Sequence, residues 1–189
     1  MKPRVVLVHG WDGNPHDSWK PWLKNELERR SIQWIAPQFS GGECPELSEW
    51  IMTIKKAINE VNSKTYFIGH SLGCVAILKY LEQLPKNKKV GGCVFVAGFC
   101  SNLEPELDNF TSPFINIPNI LKHTSRFVVI GSHDDDAVPF SKILELQKAL
   151  DAHLIIDEGK GHFSEGDGIK ELPSVLQALL EMMDKKNGA

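Results

Sequence analysis

The chain has little that would tie it to nucleic acid or to a lipid surface. Across 189 residues, 21 lysines and arginines stand against 24 aspartates and glutamates, a formal net charge of −3. That balance gives no electrostatic reason to expect nucleic acid or an anionic membrane as a partner. The one basic run, "KNKK" at 86–89, lies between apolar segments and reads as a solvated loop. Long hydrophobic runs are missing as well. Nothing approaches the ~18 apolar residues of a membrane span. The opening "MKPRVVLVHG" offers only Val5 to Val8, too short for the core of a secretion signal. A cytoplasmic protein with no membrane partner is the expectation.

Cysteine is sparse. Cys44, Cys74, Cys93 and Cys100 form no C-x-x-C pair and no cysteine–histidine zinc spacing. A chain of this length buries a sizeable core without staples, so the four read as buried thiols in a reducing compartment. Internal repeats, low-complexity tracts and linkers are absent from the sequence, which predicts a single domain over 1–189.

What is present is alternation. Residues 4–8, 33–35, 66–68, 93–96, 127–130 and 154–156 are short, β-branched and nearly all apolar. Such runs fit strands covered on both faces, as in a parallel sheet. Helix-period segments lie between them. Leu47, Trp50, Ile51, Ile54, Ile58 and Val61 place one apolar stripe on a helix. Leu172, Val175, Leu176, Leu179, Leu180 and Met183 do the same near the C-terminus, and Ile143, Leu146 and Leu150 mark a shorter helix. Asp17 or Ser18 is placed to cap the first helix, with Pro21 in its first turn. The pattern predicts a three-layer α/β/α sandwich with a mostly parallel sheet of about six strands and right-handed crossovers.

One segment breaks the rhythm. Residues 99–125, "FCSNLEPELDNFTSPFINIPNILKHTS", hold three prolines and three phenylalanines but no long helical period. Irregular connections of this length are usually functional or disordered, and the phenylalanines argue against disorder. The segment reads as a small cap with one or two short helices over the C-terminal edge of the sheet. A meandering surface connection is the alternative.

Between the strand at 66–68 and a helix over 72–84 stands "GHSLG". A very sharp turn there would put strained angles on Ser71, and side chains two residues to either side would collide across it. Gly69 and Gly73 remove them. This is the G-x-S-x-G nucleophile elbow, which lifts the serine hydroxyl clear of the sheet at a helix N-terminus. The pattern alone arises by chance in roughly one chain in twenty of this length. The strand before it and the helix after it strengthen it.

A serine needs a base, and the base an orienting acid. In this arrangement they follow in the order Ser, Asp, His, each just after a strand. His162, in "DEGKGHFSEG" at 157–166, is the candidate base. Its alternative is a surface histidine. His70 beside the serine is given a structural role. His9, His16, His123, His133 and His153 lack a comparable placement. "GSHDDDAVPF" at 131–140 offers Asp134, Asp135 and Asp136 as the acid. Such loops commonly read D-x-x-V-P, and counting back from Val138-Pro139 selects Asp135, with Asp134 next. A divalent metal on His133 and these aspartates is a weaker rival, because it leaves the serine turn unexplained. The oxyanion hole needs two backbone N–H groups. Leu72, after the serine, and Trp11, in "HGWDGNPHDSW" at 9–19, are the candidates.

Residues 9–11 (HGW), 69–73, 131–139 and 161–163 (GHF), with "WKPWLKNEL" at 19–27, resemble the small α/β-hydrolase family of YdeN-like bacterial proteins and retinoblastoma-binding protein 9-type serine hydrolases. The resemblance spans essentially the whole chain. It implies a minimal hydrolase sheet, a triad mapping onto Ser71, Asp135 and His162, and activity on small activated esters. The Leu-x-Cys-x-Glu motif of retinoblastoma-pocket ligands is absent at all four cysteines, so no partner carries across.

The reading is therefore a serine hydrolase of the carboxylesterase type acting on a small ester, thioester or amide, with neither cofactor nor metal. The expected partner is a small-molecule acyl substrate, and the expected state a monomer or weak homodimer. Gly10, Trp11, Phe99, Phe110 and Phe114 are expected to line the acyl pocket. The rival from another class is a protein-binding module on a hydrolase scaffold, with the triad idle.

Overall fold

The computed structural model describes residues 2–40 and 45–184. Cys44 lies outside them. Six strands form one sheet: β1 (Arg4–Val8), β2 (Gln33–Ile35), β3 (Thr65–His70), β4 (Gly92–Val96), β5 (Phe127–Gly131) and β6 (His153–Ile156). Their order is β2-β1-β3-β4-β5-β6, and every neighbouring pair is parallel, not merely most. The reason lies in the strand composition. β3, β4 and β5 are buried at every residue, which only a sheet covered on both faces allows.

Successive side chains point to opposite faces and sort into two cores. Val6, Val8, Phe67, Phe95 and Val129 pack against α2 (Leu47–Ala57), α3 (Leu72–Glu82) and α6 (Phe140–Leu150). Val5, Leu7, Ile68, Val94 and Ile130 pack against α1 (Lys20–Arg29) and α7 (Pro173–Asp184). The result is a three-layer α/β/α sandwich. The strand order reverses direction between β1 and β3, and the crevice beyond their carboxyl ends is where open α/β sheets bind ligands.

Two helix details differ from the sequence reading. Trp19, not Asp17 or Ser18, occupies the N-cap of α1, and no side chain caps it. The Ser18 hydroxyl instead shares its one proton between the carbonyls of Ile169 (2.8 Å) and Phe163 (3.1 Å). α2 stops at Ala57. Ile58 is extended at φ −125°, yet Ile58 and Val61 stay buried, so the apolar stripe continues through non-helical chain.

Residues 99–125 carry a 3₁₀ turn (Pro105–Leu107), α4 (Asp108–Thr111) and α5 (Ile117–Ile120). The Asn109 side chain ties α4 to the start of α2, accepting from Leu47 N and donating to the Pro45 carbonyl. Leu103, Glu104 and Leu107 of this segment line one cavity with Ser71, and α4 and α5 pack beside α3.

Candidate active site

β3 ends at His70 and α3 begins at Leu72, so Ser71 alone makes the turn. Its backbone sits at φ 53°, ψ −123°, a combination that L residues avoid. Its neighbours explain how the turn closes. A Cβ on Gly69 would lie 2.7 Å from Cys74 Cα, so the hydrogen there lets the first turn of α3 fold back over β3. A Cβ on Gly73 would lie 2.1 Å from the Val8 carbonyl oxygen. The second clash is with the end of β1 rather than across the turn, as the sequence reading had it. Leu72 opens α3, so its N–H has no carbonyl one turn earlier to bond to.

The loop after β6 brings His162 to the same place. Its Nδ1 lies 2.9 Å from both carboxylate oxygens of Asp135. That proximity makes Nδ1 the protonated nitrogen and leaves the Nε2 lone pair free. The Asp135 side chain is wholly shielded from solvent. Its Oδ1 also accepts from the N–H groups of Ala137 (2.9 Å) and Val138 (2.8 Å). These bonds give the D-x-x-V-P spacing its physical content: the carboxylate folds its own loop while facing the histidine. Asp134 points elsewhere. It accepts from the Ser132 hydroxyl, and that bond holds its carboxyl below the usual range. Asp136 is exposed, and His133 pairs with Glu158 at 2.5 Å on the surface. The three aspartates and His133 therefore do not converge on one point.

Ser71 and His162 both line a cavity of about 320 Å³, together with Trp11, Leu72 and Phe99. Three of the expected pocket residues are outside the lining. Gly10 packs against the serine turn instead, where a Cβ would come 3.1 Å from Ser71 Cβ. Phe110 is fully buried edge-on against Trp50, at 5.3 Å between ring centres, as cap core. Phe114 is 92% exposed and touches no part of the cavity. The lining includes instead Asp12, Leu103, Glu104, Leu107, Ala137 and Val138. The pair Leu103 and Leu107, four residues apart in "LEPEL", was the available sequence signal for this wall.

Comparison with known proteins gives the family and the fold. A family model described as serine hydrolase matches residues 5–181. The chain belongs to the serine hydrolase family. YdeN of Bacillus subtilis (strain 168) is 34% identical over 188 residues, covering 98% of this chain and 99% of YdeN. The serine hydrolase RBBP9 of Rattus norvegicus is 26% identical over 180 residues, covering 93% of this chain and 89% of its own. The crystal structure of the B. subtilis ydeN product superposes with a TM-score of 0.91 at 33% identity, covering 97% of this chain and 100% of that one. Est1E from Butyrivibrio proteoclasticus shares the fold, with a TM-score of 0.75 at 14% identity and coverage of 98% and 90%. Among the described residues, no helix is long and apolar enough to cross a membrane.

In this serine hydrolase, the loops around the site are pinned by buried side chains. The ring Nε2 of His70 donates to the His162 carbonyl at 2.8 Å, which is the structural role expected of it. The Phe163 carbonyl accepts from Ser18 Oγ (3.1 Å) and Trp19 Nε1 (3.0 Å). On the other side, His9 is buried with Nδ1 2.8 Å from the Gly10 carbonyl, while its Nε2 accepts from Phe39 N at 3.0 Å. Those two bonds require the Nδ1–H tautomer, and they fix the loop that carries Trp11. Of the thiols, Cys74 and Cys93 are buried and shifted up by burial, and burial pushes Cys100 up to about 11.

Burial holds His70 well below, and His9 below, the ordinary value of 6.5. Each ring therefore stays neutral to a lower pH in the fold than in the unfolded chain, which protonates it as pH falls past 6.5. The unfolded state then binds more protons, so stability falls with falling pH, by up to ~1.4 kcal/mol per ring for each unit. Urea midpoints at about pH 7.5 and 5.5 should show this loss, and His70→Gln should flatten it. An unchanged slope in the variant would remove His70 from the account.

Proposed function

We propose that this serine hydrolase cleaves a small ester, thioester or amide through an acyl-enzyme formed on Ser71, with His162 as general base and Asp135 as its orienting acid. The observation that carries the reading is the pairing of His162 Nδ1 with the shielded Asp135 carboxylate, beside a cavity shared with strained Ser71.

The chemistry follows from the groups present. With Nδ1–H committed to Asp135, the free lone pair on Nε2 takes the Ser71 proton as Oγ attacks the acyl carbon. The carbonyl π electrons move onto oxygen, and the N–H groups of Leu72 and Trp11 are the proposed donors to that oxyanion. The start of α3 adds its positive dipole end. Collapse of the tetrahedral species breaks the bond to the leaving group, which takes its proton from the imidazolium. Asp135 stabilises that imidazolium throughout. Water, deprotonated by His162, then attacks the acyl-enzyme, and Ser71 regains its proton. No step calls for a metal or a cofactor. Ester, thioester and amide share this route, and the carboxylesterase type is the one we favour. A cytoplasmic monomer or weak homodimer acting on a small acyl substrate completes the reading.

The rival, an idle triad on a binding module, requires a covered serine. Ser71 lines an open cavity, which favours catalysis. The test is to mix the protein with para-nitrophenyl butyrate, quench in acid before the first turnover is complete, digest, and read the peptide masses. One butyryl group on the peptide containing Ser71 is expected. Turnover without acylation of that peptide would refute the acyl-enzyme route.

A further inference from the structure

The cavity beside Ser71 is apolar on its walls and acidic at two points. Phe99, Leu107 and Val138 supply hydrocarbon, whereas Asp12 and Glu104 bring carboxylates from opposite elements, one on the loop after β1 and one on the segment after β4. Both are solvent-exposed. The partly exposed indole of Trp11 stands in the same lining. Among the described residues, no lysine or arginine lines this cavity, and His162 is its one basic side chain. The nearby cations have other commitments. Lys142 is held by the Ser101 hydroxyl (2.6 Å), the Asn102 carbonyl (2.7 Å) and Glu145 (3.6 Å). Lys20 is buried against Asp17. Lys160, two residues before His162, is not part of the lining.

Two acidic residues and a tryptophan around an apolar slot make an environment that attracts a positive charge and repels a negative one. We propose that this hydrolase selects substrates that carry a positive charge, an ammonium or quaternary ammonium group, next to an apolar acyl or leaving chain. The inference rests on the catalytic reading above and adds the substrate class. Hydrocarbon of the substrate lies on Phe99, Leu107 and Val138, and its cationic end meets Asp12, Glu104 and the face of Trp11. Substrates that bear a carboxylate at the same place are disfavoured. Because the two acids are exposed, each acts at modest strength and is weakened by salt.

The experiment compares isosteres. Butyrylthiocholine is set beside the thiobutyrate in which a tert-butyl group replaces trimethylammonium. A para-nitrophenyl ester of trimethylammonio-butyrate is set beside its own tert-butyl analogue. The first pair carries the charge on the leaving group, the second on the acyl chain. In at least one pair the cation should show kcat/KM about ten-fold higher at low salt. The preference should shrink severalfold in about half-molar sodium chloride, where the screening length is only a few ångströms. Glu104→Gln and Asp12→Asn should each reduce the cation-to-neutral ratio by about two- to five-fold. Asparagine suits the left-handed backbone of Asp12, at φ 55°, so that variant keeps the loop. Equal kcat/KM within both pairs, with Ser71 acylated by the neutral esters, would overturn the charge selection and leave the catalytic reading intact. Failure of every ester to acylate Ser71 would overturn the catalytic reading and this inference with it.

Discussion

Asp135→Asn should lower kcat for an activated ester by about ten-thousand-fold, while Asp134→Asn should stay within about three-fold of the parent. The asymmetry follows from what each carboxylate touches. Asp135 Oδ1 accepts from the Ala137 and Val138 amides, which demand an acceptor at that atom. In the Asp135→Asn variant the side-chain carbonyl oxygen keeps those two bonds, so the NH₂ group turns toward His162 Nδ1. An amide donor facing Nδ1 favours the tautomer with the proton on Nε2. The ring then presents a donor to Ser71 where a base is needed. The Asp135 side chain is wholly shielded, so no solvent relieves the mismatch on that side of the ring. Asp134 is exposed and accepts from the hydroxyl of buried Ser132 and from backbone at Gly159 and Gly161, and asparagine keeps an acceptor oxygen for these at small cost. Steady-state kinetics on the two variants, with thermal melts to establish folding, decide the matter. A large loss in Asp134→Asn with little in Asp135→Asn would mean that the acid has been misassigned.

Gly73→Ala should destabilise the fold by at least ~3–5 kcal/mol or yield no soluble protein. The added methyl carbon would stand 2.1 Å from the Val8 carbonyl oxygen and 2.6 Å from that of His9. Both obstacles are backbone, so no rotamer change relieves them. Either α3 must lift from the sheet or the end of β1 must move. α3 is buried from Leu72 to Leu81, and β1 is bonded to neighbours on both sides, so each movement breaks core packing. Gly159→Ala provides the comparison. Its φ is +69° with nothing within 4 Å of a new Cβ, so only the left-handed strain of ~1–2 kcal/mol applies. Urea denaturation of the two variants should separate them clearly. Equal, small losses would show that α3 is held more loosely against β1 than its packing implies.

How much of this was legible in the residues can be judged element by element. The six strands were visible because a doubly covered sheet writes uninterrupted apolar runs, as in "FVVIG". The turn at Ser71 and the pairing of His162 with Asp135 were visible because the proposed chemistry needs each residue type at a fixed offset from a strand end. Other features depend on long-range neighbours. Ser18 looked like a helix cap, since a serine before a helix usually is one, but carbonyls 145 and 151 residues away claim its hydroxyl. Val61 fitted a helical stripe, yet burial alone put it there, and the helix ends four residues earlier. Phe110 and Phe114 looked alike in sequence. One is fully buried against Trp50 and the other almost fully exposed, and nothing local to either distinguishes them. His9 was legible only as part of the HGW resemblance, because its bond from Phe39 depends on where β2 delivers the following loop.

The most direct test of the account is covalent labelling of the purified protein with a fluorophosphonate probe, alongside Ser71→Ala and His162→Ala. The account predicts strong labelling of the parent chain at Ser71, none in Ser71→Ala, and almost none in His162→Ala. A folded parent that takes up no probe, or labelling that persists without Ser71, would contradict it.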